Sequence, residues 1–168
     1  NLEQKQRAKL DDLQAEAAEG IAEFISLMNP YEFQELVGAL LRAMGYHTPF
    51  IAPRGRDGGI DLIAYPDPLG ASTPKIKVQV KHMPNSAISV GEIRSLMGIL
   101  NKEGEMGLFV TSGRFTNESI MTARTSPIHI KLIDFSELID LWQEFYDKMT
   151  DEEKNLLPLH PIYFLGEN

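Results

Sequence analysis

Asp61, Gln79 and Lys81 are the residues whose types and spacing best suit chemistry. They lie in GRDGGIDLIAYPDPLGASTPKIKVQVK, residues 55–81. A carboxylate, an amide oxygen and an ammonium on neighbouring strands are what metal-assisted phosphodiester hydrolysis uses. A divalent cation such as Mg2+, or Mn2+ in its place, takes hard oxygen ligands and keeps several waters. Asp61 offers a carboxylate, Gln79 a neutral oxygen, and the backbone carbonyl of Val80 a further ligand. Lys81 suits orienting the attacking water or stabilising charge on phosphorus. Gly58 and Gly59, just before Asp61, let the backbone bend sharply and approach a phosphate closely. Taken alone, an Asp followed by Gln-x-Lys is a common accident, because Gln and Lys are routine on a half-buried strand.

Several elements must position these groups. In KIKVQVK the side chains alternate, so Ile76, Val78 and Val80 face a core while Lys77, Gln79 and Lys81 face the other way. Residues 60–65 and 76–81 read as paired strands joined by a polar loop, with a weaker strand over 47–52. Residues 3–27 read as a helix with Leu10, Leu13, Ala17, Ile21 and Phe24 on one stripe. Asn29 caps a second helix with Pro30 at its first position, and Gly45 ends it. Ser89 caps a helix over 90–102, 107–111 is a buried strand, and 116–124 is a helix. Residues 128–133 alternate as a strand, and 135–148 form a last helix with Leu138, Leu141, Trp142 and Phe145 inward. The apolar tail over 156–165 reads as an extended, docked arm. Helices and strands in this order predict a three-layer α/β domain with a central mixed β-sheet flanked by helices.

The 168 residues suit one domain with a core of its own. There is no Cys, which excludes disulfides and thiolate metal sites. The first residue is Asn rather than Met, which reads as a piece of a longer chain. No signal-peptide pattern is present, and a cytoplasmic setting is expected. The net charge of −8 lacks the basic footprint of a nucleic-acid binder. Its distribution is uneven: −5 over residues 1–35, +3 over 36–100, zero over 101–135 and −6 over 136–168. The one positive stretch holds Asp61, Gln79 and Lys81. The acidic ends read as solvated helix faces.

Other residues have both a functional and a plain reading. Arg54 and Arg56 suit phosphate contacts, which position DNA without reading its sequence, or else a solvated loop. Asp57 is either a supporting acid or ordinary turn chemistry. Thr111, Ser112 and Arg114 suit DNA-backbone contacts, or the turn and cap roles common to Ser and Thr. His82 reads as a core or edge His rather than a general base. His47, His129 and His160 lack metal-ligand spacing. Trp142 sits at helical spacing and reads as core.

Four motifs in order carry a resemblance: YEFQELVGALLRAMGY, GRDGGIDLIAY, KVQVKH and GLFVTSGRFT. Together they resemble the Mrr-like branch of the PD-(D/E)xK restriction-endonuclease superfamily, from about Pro30 to Phe135, and the tail IYFLG is also similar. The resemblance implies a restriction-endonuclease-like fold, DNA as substrate, Mg2+ as cofactor, and Asp61, Gln79 and Lys81 as the catalytic core, with Gln in place of the usual acid. It also implies an acid on the opening helix. Here the sequence departs, with Phe33-Gln34 where Phe-Glu is common. Gln34 keeps an oxygen ligand but loses the charge, with Glu35 adjacent and Asp57 able to compensate.

Two functions follow. One is a Mg2+-dependent DNA endonuclease, the effector domain of a restriction or anti-phage defence protein. It would act as a homodimer or higher oligomer, with a sensor or DNA-binding domain upstream. The other is a catalytically weak or inactive nuclease-fold domain that binds DNA or a partner protein. The expected layout is an N-terminal helix and linker over 1–28, the nuclease domain over 29–150, and the docked arm over 151–168.

Overall fold

The structure is a computed structural model that describes residues 1–51 and 60–166. Helix α1, Leu2–Ser26, enters the domain and is followed by α2, Pro30–Ala43. Asn29 and Glu32 close a full capping box at the start of α2. Gly45, at φ +100°, takes the left-handed position just beyond its end. Strands β1 (His47–Ile51), β2 (Leu62–Tyr65) and β3 (Lys75–Lys81) pair antiparallel in turn. After β4 (Ala87–Ile88) and α3 (Val90–Gly98), strand β5 (Glu105–Thr111) returns parallel to β3. Then come β6 (Arg114–Phe115), α4 (Asn117–Arg124) and β7 (Ile130–Ile133), with β7 parallel to β5. Helix α5 (Phe135–Phe145), a 3-10 turn (Tyr146–Lys148) and α6 (Asp151–Lys154) complete the order.

The main sheet runs β1-β2-β3-β5-β7, mixed as the sequence predicts, and β4 pairs with β6 as a separate parallel ribbon. Strand alternation gives the sheet two buried faces. Ile76, Val78, Leu108, Val110 and Ile133 pack with α2 and α5 residues such as Phe33, Leu36, Leu138 and Trp142. Phe109 and Ile130 pack on the other face with Ile93 and Leu96 of α3 and Ala123 of α4. These are the three layers. Among the described residues no helix is long and apolar enough to cross a membrane.

On α1 only Ile25 is fully buried; Ile21 packs partly against the core, and Phe24 is 44% exposed. Two expectations shift. Helix α3 stops at Gly98 rather than near residue 102. The C-terminal segment is less of an arm than its composition suggests. Residues Asp151–Lys154 are helical, capped by Thr150, whose side chain accepts from Glu153 N–H. Docking is real at Leu157, whose carbonyl accepts from Trp142 Nε1 at 3.0 Å, and at Leu159, whose N–H reaches the Tyr146 hydroxyl. Beyond Leu159, Ile162, Tyr163 and Leu165 are exposed.

Candidate active site

β2 and β3 bring Asp61 to β3 through the backbone. Leu62 pairs with Val78, and Asp61 N–H donates to the Val78 carbonyl at 2.9 Å. The chain thus departs from regular pairing at Asp61, the residue just before β2. The Asp61 carboxylate turns along β3, where its Oδ2 accepts from Val80 N–H at 2.7 Å. It is therefore fixed beside the residue that separates Gln79 from Lys81. Burial pushes the Asp61 carboxyl above its ordinary range, and the Val80 N–H and the Lys81 charge pull back only part of that rise. An acid held this way gains from any cation that joins it.

Gln79 is buried and in register with Phe109 on the α3 side of the sheet. Lys81 ends β3, where its ammonium meets Glu92 Oε1 of α3 at 3.2 Å, each side chain 36% exposed. Glu92 is the residue that sequence reasoning misses. Its only signal is its place three residues after Ser89, where a Glu reads as a helix cap. Gln34 is buried on α2, and Glu35 beside it is half-buried. Asp57, Arg54, Arg56, Gly58 and Gly59 lie outside the described residues. Among the described residues no three His, Asp or Glu side chains gather closely enough to hold a metal ion by themselves. One carboxylate with neutral oxygens is still a donor set that suits Mg2+, which takes one or two carboxylates and fills the rest with water and phosphate oxygens.

The expected DNA contacts of Thr111 and Ser112 do not match their places. Both are buried, at 0% and 4% exposure. Thr111 Oγ1 accepts from Gly113 N–H, and Ser112 Oγ bonds His82 Nδ1 at 2.8 Å. The end of a buried parallel strand turns these hydroxyls inward, where backbone and imidazole groups need partners. Arg114 is exposed, with one guanidinium nitrogen on the Asn85 carbonyl. His82 is structural, stacked on Phe33 and bonded through Nε2 to the Met28 carbonyl at 2.7 Å.

A family profile of restriction endonucleases, that of the Mrr catalytic domain, matches residues 25–142. The chain belongs to this restriction endonuclease family. Among solved structures it is similar to the DNA modification-dependent restriction endonuclease AspBHI, at 19% identity and a TM-score of 0.62, covering 82% of this chain and 37% of that one. It is also similar to the MspJI restriction endonuclease in complex with a 27-mer oligonucleotide, at 21% identity and a TM-score of 0.56, covering 90% and 33%. Likeness at this identity speaks for the fold, and the chain spans about a third of either protein. No curated protein matches the chain. The family model spans α2, all seven strands and most of α5, so the restriction-endonuclease family and the α/β nuclease fold agree.

Proposed function

We propose that this restriction endonuclease domain hydrolyses DNA phosphodiester bonds with a divalent cation and is the cutting module of a modification-dependent restriction system. The observation that carries this reading is the half-buried Asp61 carboxylate, held on the β3 backbone beside Lys81 and the buried Gln79. Asp61 and the Gln79 amide oxygen would hold Mg2+ or Mn2+, with the Val80 carbonyl and Gln34 as further oxygen donors. The cation supplies Lewis acidity at the scissile phosphate and lowers the pKa of water. Lys81 places a positive charge where the phosphorus centre gains negative charge. Gln79 orients its oxygen from a buried, rigid strand. Cutting both strands of a duplex takes two such sites, hence two copies of the domain. Modification dependence rests on the likeness to AspBHI, and a domain that senses modified bases would lie elsewhere in a longer chain.

Plasmid DNA, modified and unmodified, incubated with the protein and Mg2+ or Mn2+ tests the reading. Metal-dependent cleavage that disappears in Asp61→Ala and in Lys81→Ala supports it. An intact plasmid under all these conditions would sink it. One observation favours a second reading: Asp61 is the one carboxylate among the proposed cation donors in the described residues, with amides at positions 34 and 79. In that case the domain binds DNA without cutting, which a gel-shift with no nicking would reveal.

A further inference from the structure

Glu92 stands at the third position of α3, in the sequence Ser89-Val90-Gly91-Glu92. Ser or Thr followed three residues later by Glu is the pattern of a capping box, in which both side chains return to the helix start. Three other helix starts among the described residues place a Glu three positions after the cap, and at one of them, Asp134, the Glu137 carboxylate also turns away, to Lys131 at 2.7 Å, while the cap still accepts from Glu137 N–H. At Asn29 and Glu32 the box closes, with Asn29 N–H donating to Glu32 Oε2 at 3.0 Å and Glu32 N–H donating to Asn29 Oδ1 at 2.9 Å. At Thr150 and Glu153 the two side chains also meet, at 3.1 Å, and Thr150 Oγ1 accepts from Glu153 N–H. At Ser89 the side chain makes no capping bond, and the Glu92 carboxylate pairs with Lys81 instead. The helix start thus forgoes its own cap while its acid reaches the end of β3.

The neighbours of Glu92 make that reach rigid. Ile93 and Leu96 are fully buried on the α3 face of the sheet, so the helix cannot rotate away from β3. Lys81 therefore feels two carboxylates, Asp61 through its charge and Glu92 through a direct ion pair. When Asp61 gives its charge to a cation, Glu92 is the anion left to hold the ammonium. A long, flexible Lys side chain gains most from such a partner, because its rotamer freedom otherwise spreads the charge over many positions.

We propose that Glu92 is the positioning residue for Lys81, holding its ammonium at the α3 side of the site for the scissile phosphate. This rests on the nuclease reading above. Glu92 touches neither substrate nor cation. It sets where Lys81 waits.

The experiment compares Glu92→Ala and Glu92→Gln with the unaltered protein, using a duplex oligonucleotide and Mg2+. Loss of a residue that orients a catalytic group typically costs roughly 10- to 100-fold. The expected result is a fall of that size in kcat for Glu92→Ala, with KM for the duplex unchanged. Glu92→Gln, which keeps an acceptor oxygen, should lose less. Adding Glu92→Ala to Lys81→Ala should cost nothing further, as expected for two residues acting through one contact. A second readout needs no cleavage. In carbon-13 lysine-labelled protein, the Lys81 ε-methylene signal, assigned by its absence in Lys81→Ala, should move to the free-lysine position in Glu92→Ala. Unchanged kcat in Glu92→Ala overturns the proposal, as does an unmoved Lys81 signal. A rise in the Mg2+ concentration needed for half-maximal rate, with kcat intact, also overturns it, since Glu92 would then serve the cation. If the unaltered protein does not cut, the nuclease reading fails and takes this proposal with it. Failure of the Glu92 variants alone leaves that reading standing.

Discussion

The Asp61 carboxylate is tied to the backbone of β3 by the 2.7 Å bond from Val80 N–H. A single backbone donor and a nearby Lys81 do not offset what burial costs this anion, so its carboxyl sits above the usual range. The sign matters. A raised folded value means the charged form is penalised in the native state. The cost is fully present above the folded value and fades as pH falls toward the unfolded one, near 3.8. Asp61→Asn should therefore raise Tm at pH 7 in EDTA, and the gap should shrink on approach to pH 4. Cleavage should fall at least about a hundredfold, the loss typical of a group that stabilises transition-state charge. Scanning calorimetry at two pH values and a plasmid assay check both arms. An unchanged or lower Tm for Asp61→Asn would mean the anion is better solvated than its burial implies.

Cation binding to the same carboxylate should be visible without turnover. A ligand that binds only the native state stabilises it by about 1.4 kcal/mol at roughly ten times its dissociation constant. Titrating Mg2+ or Mn2+ should raise Tm of the unaltered protein and leave Asp61→Asn flat. Equal shifts in both would place the cation elsewhere.

Much of the fold was legible because its signals are local and redundant. Alternation in KIKVQVK marked β3 and put Gln79 and Lys81 on one side. Pro30 after Asn29, and Gly45 after the apolar stripe, bounded α2 within a residue or two. Trp142 read as core from helical spacing, and it is fully buried. What the sequence hid was long-range. Nothing near position 92 marks a partner eleven residues back on another element. The hydroxyls of Thr111 and Ser112 looked available because strand ends usually are, yet His82 arrives from β3 to claim one of them. The exposed tail beyond Leu159 shows the converse, since apolar composition gives no docking where no groove receives it.

Acid sensitivity should come instead from the start of β5, where Glu105 lies in register with Lys75 of β3. Burial would raise the Glu105 carboxyl, but the Asn101 N–H at 2.7 Å and Lys77 at 3.0 Å outweigh it and hold it below the usual range. A lowered folded value gives stability that is present above the unfolded value, near 4.5, and is lost as pH falls through the folded one. Glu105→Gln should lose that increment, expected to be below about 1 kcal/mol for a partly exposed pair. Urea unfolding of both proteins should show the difference at pH 7 and its disappearance in strong acid. A difference that grows as pH falls would reverse the assigned sign.

His82 separates a structural from a catalytic role. A carbonyl only accepts, so Nε2 carries a proton toward Met28, and in the neutral ring Nδ1 accepts from the Ser112 hydroxyl. With both nitrogens engaged and a face on Phe33, 4.8 Å away, the ring ties the α1–α2 junction to β3 and β5. His82→Ala should cost about 2–3 kcal/mol, from two lost bonds and a lost ring contact. At a temperature where it stays folded, it should keep most of its cleavage rate. A general base would instead cost about 10²–10⁴-fold, and a loss of that size in folded protein would restore the catalytic reading.

Gly113 joins the site to the rest of the sheet through a backbone crossing with no room for a side chain. An added Cβ would run into the carbonyl oxygens of Ser86 and Met83, both backbone atoms in the loop after β3. That loop cannot yield freely, because Arg114 N–H bonds the Ser86 carbonyl at 2.9 Å and Phe135 N–H bonds the Gly113 carbonyl at 3.0 Å. Ser112 N–H in turn bonds the Lys81 carbonyl at 3.3 Å, so strain at Gly113 is felt at the residue that carries the ammonium. Gly113→Ala should destabilise by about 2–3 kcal/mol, the usual cost of forcing atoms into packed structure. Unlike His82→Ala, it should also lower kcat in the folded state, because the Lys81 end of β3 must move. Chemical denaturation paired with single-turnover cleavage distinguishes the two variants, and a Gly113→Ala protein as stable and fast as the unaltered one would show that the loop gives way without disturbing β3.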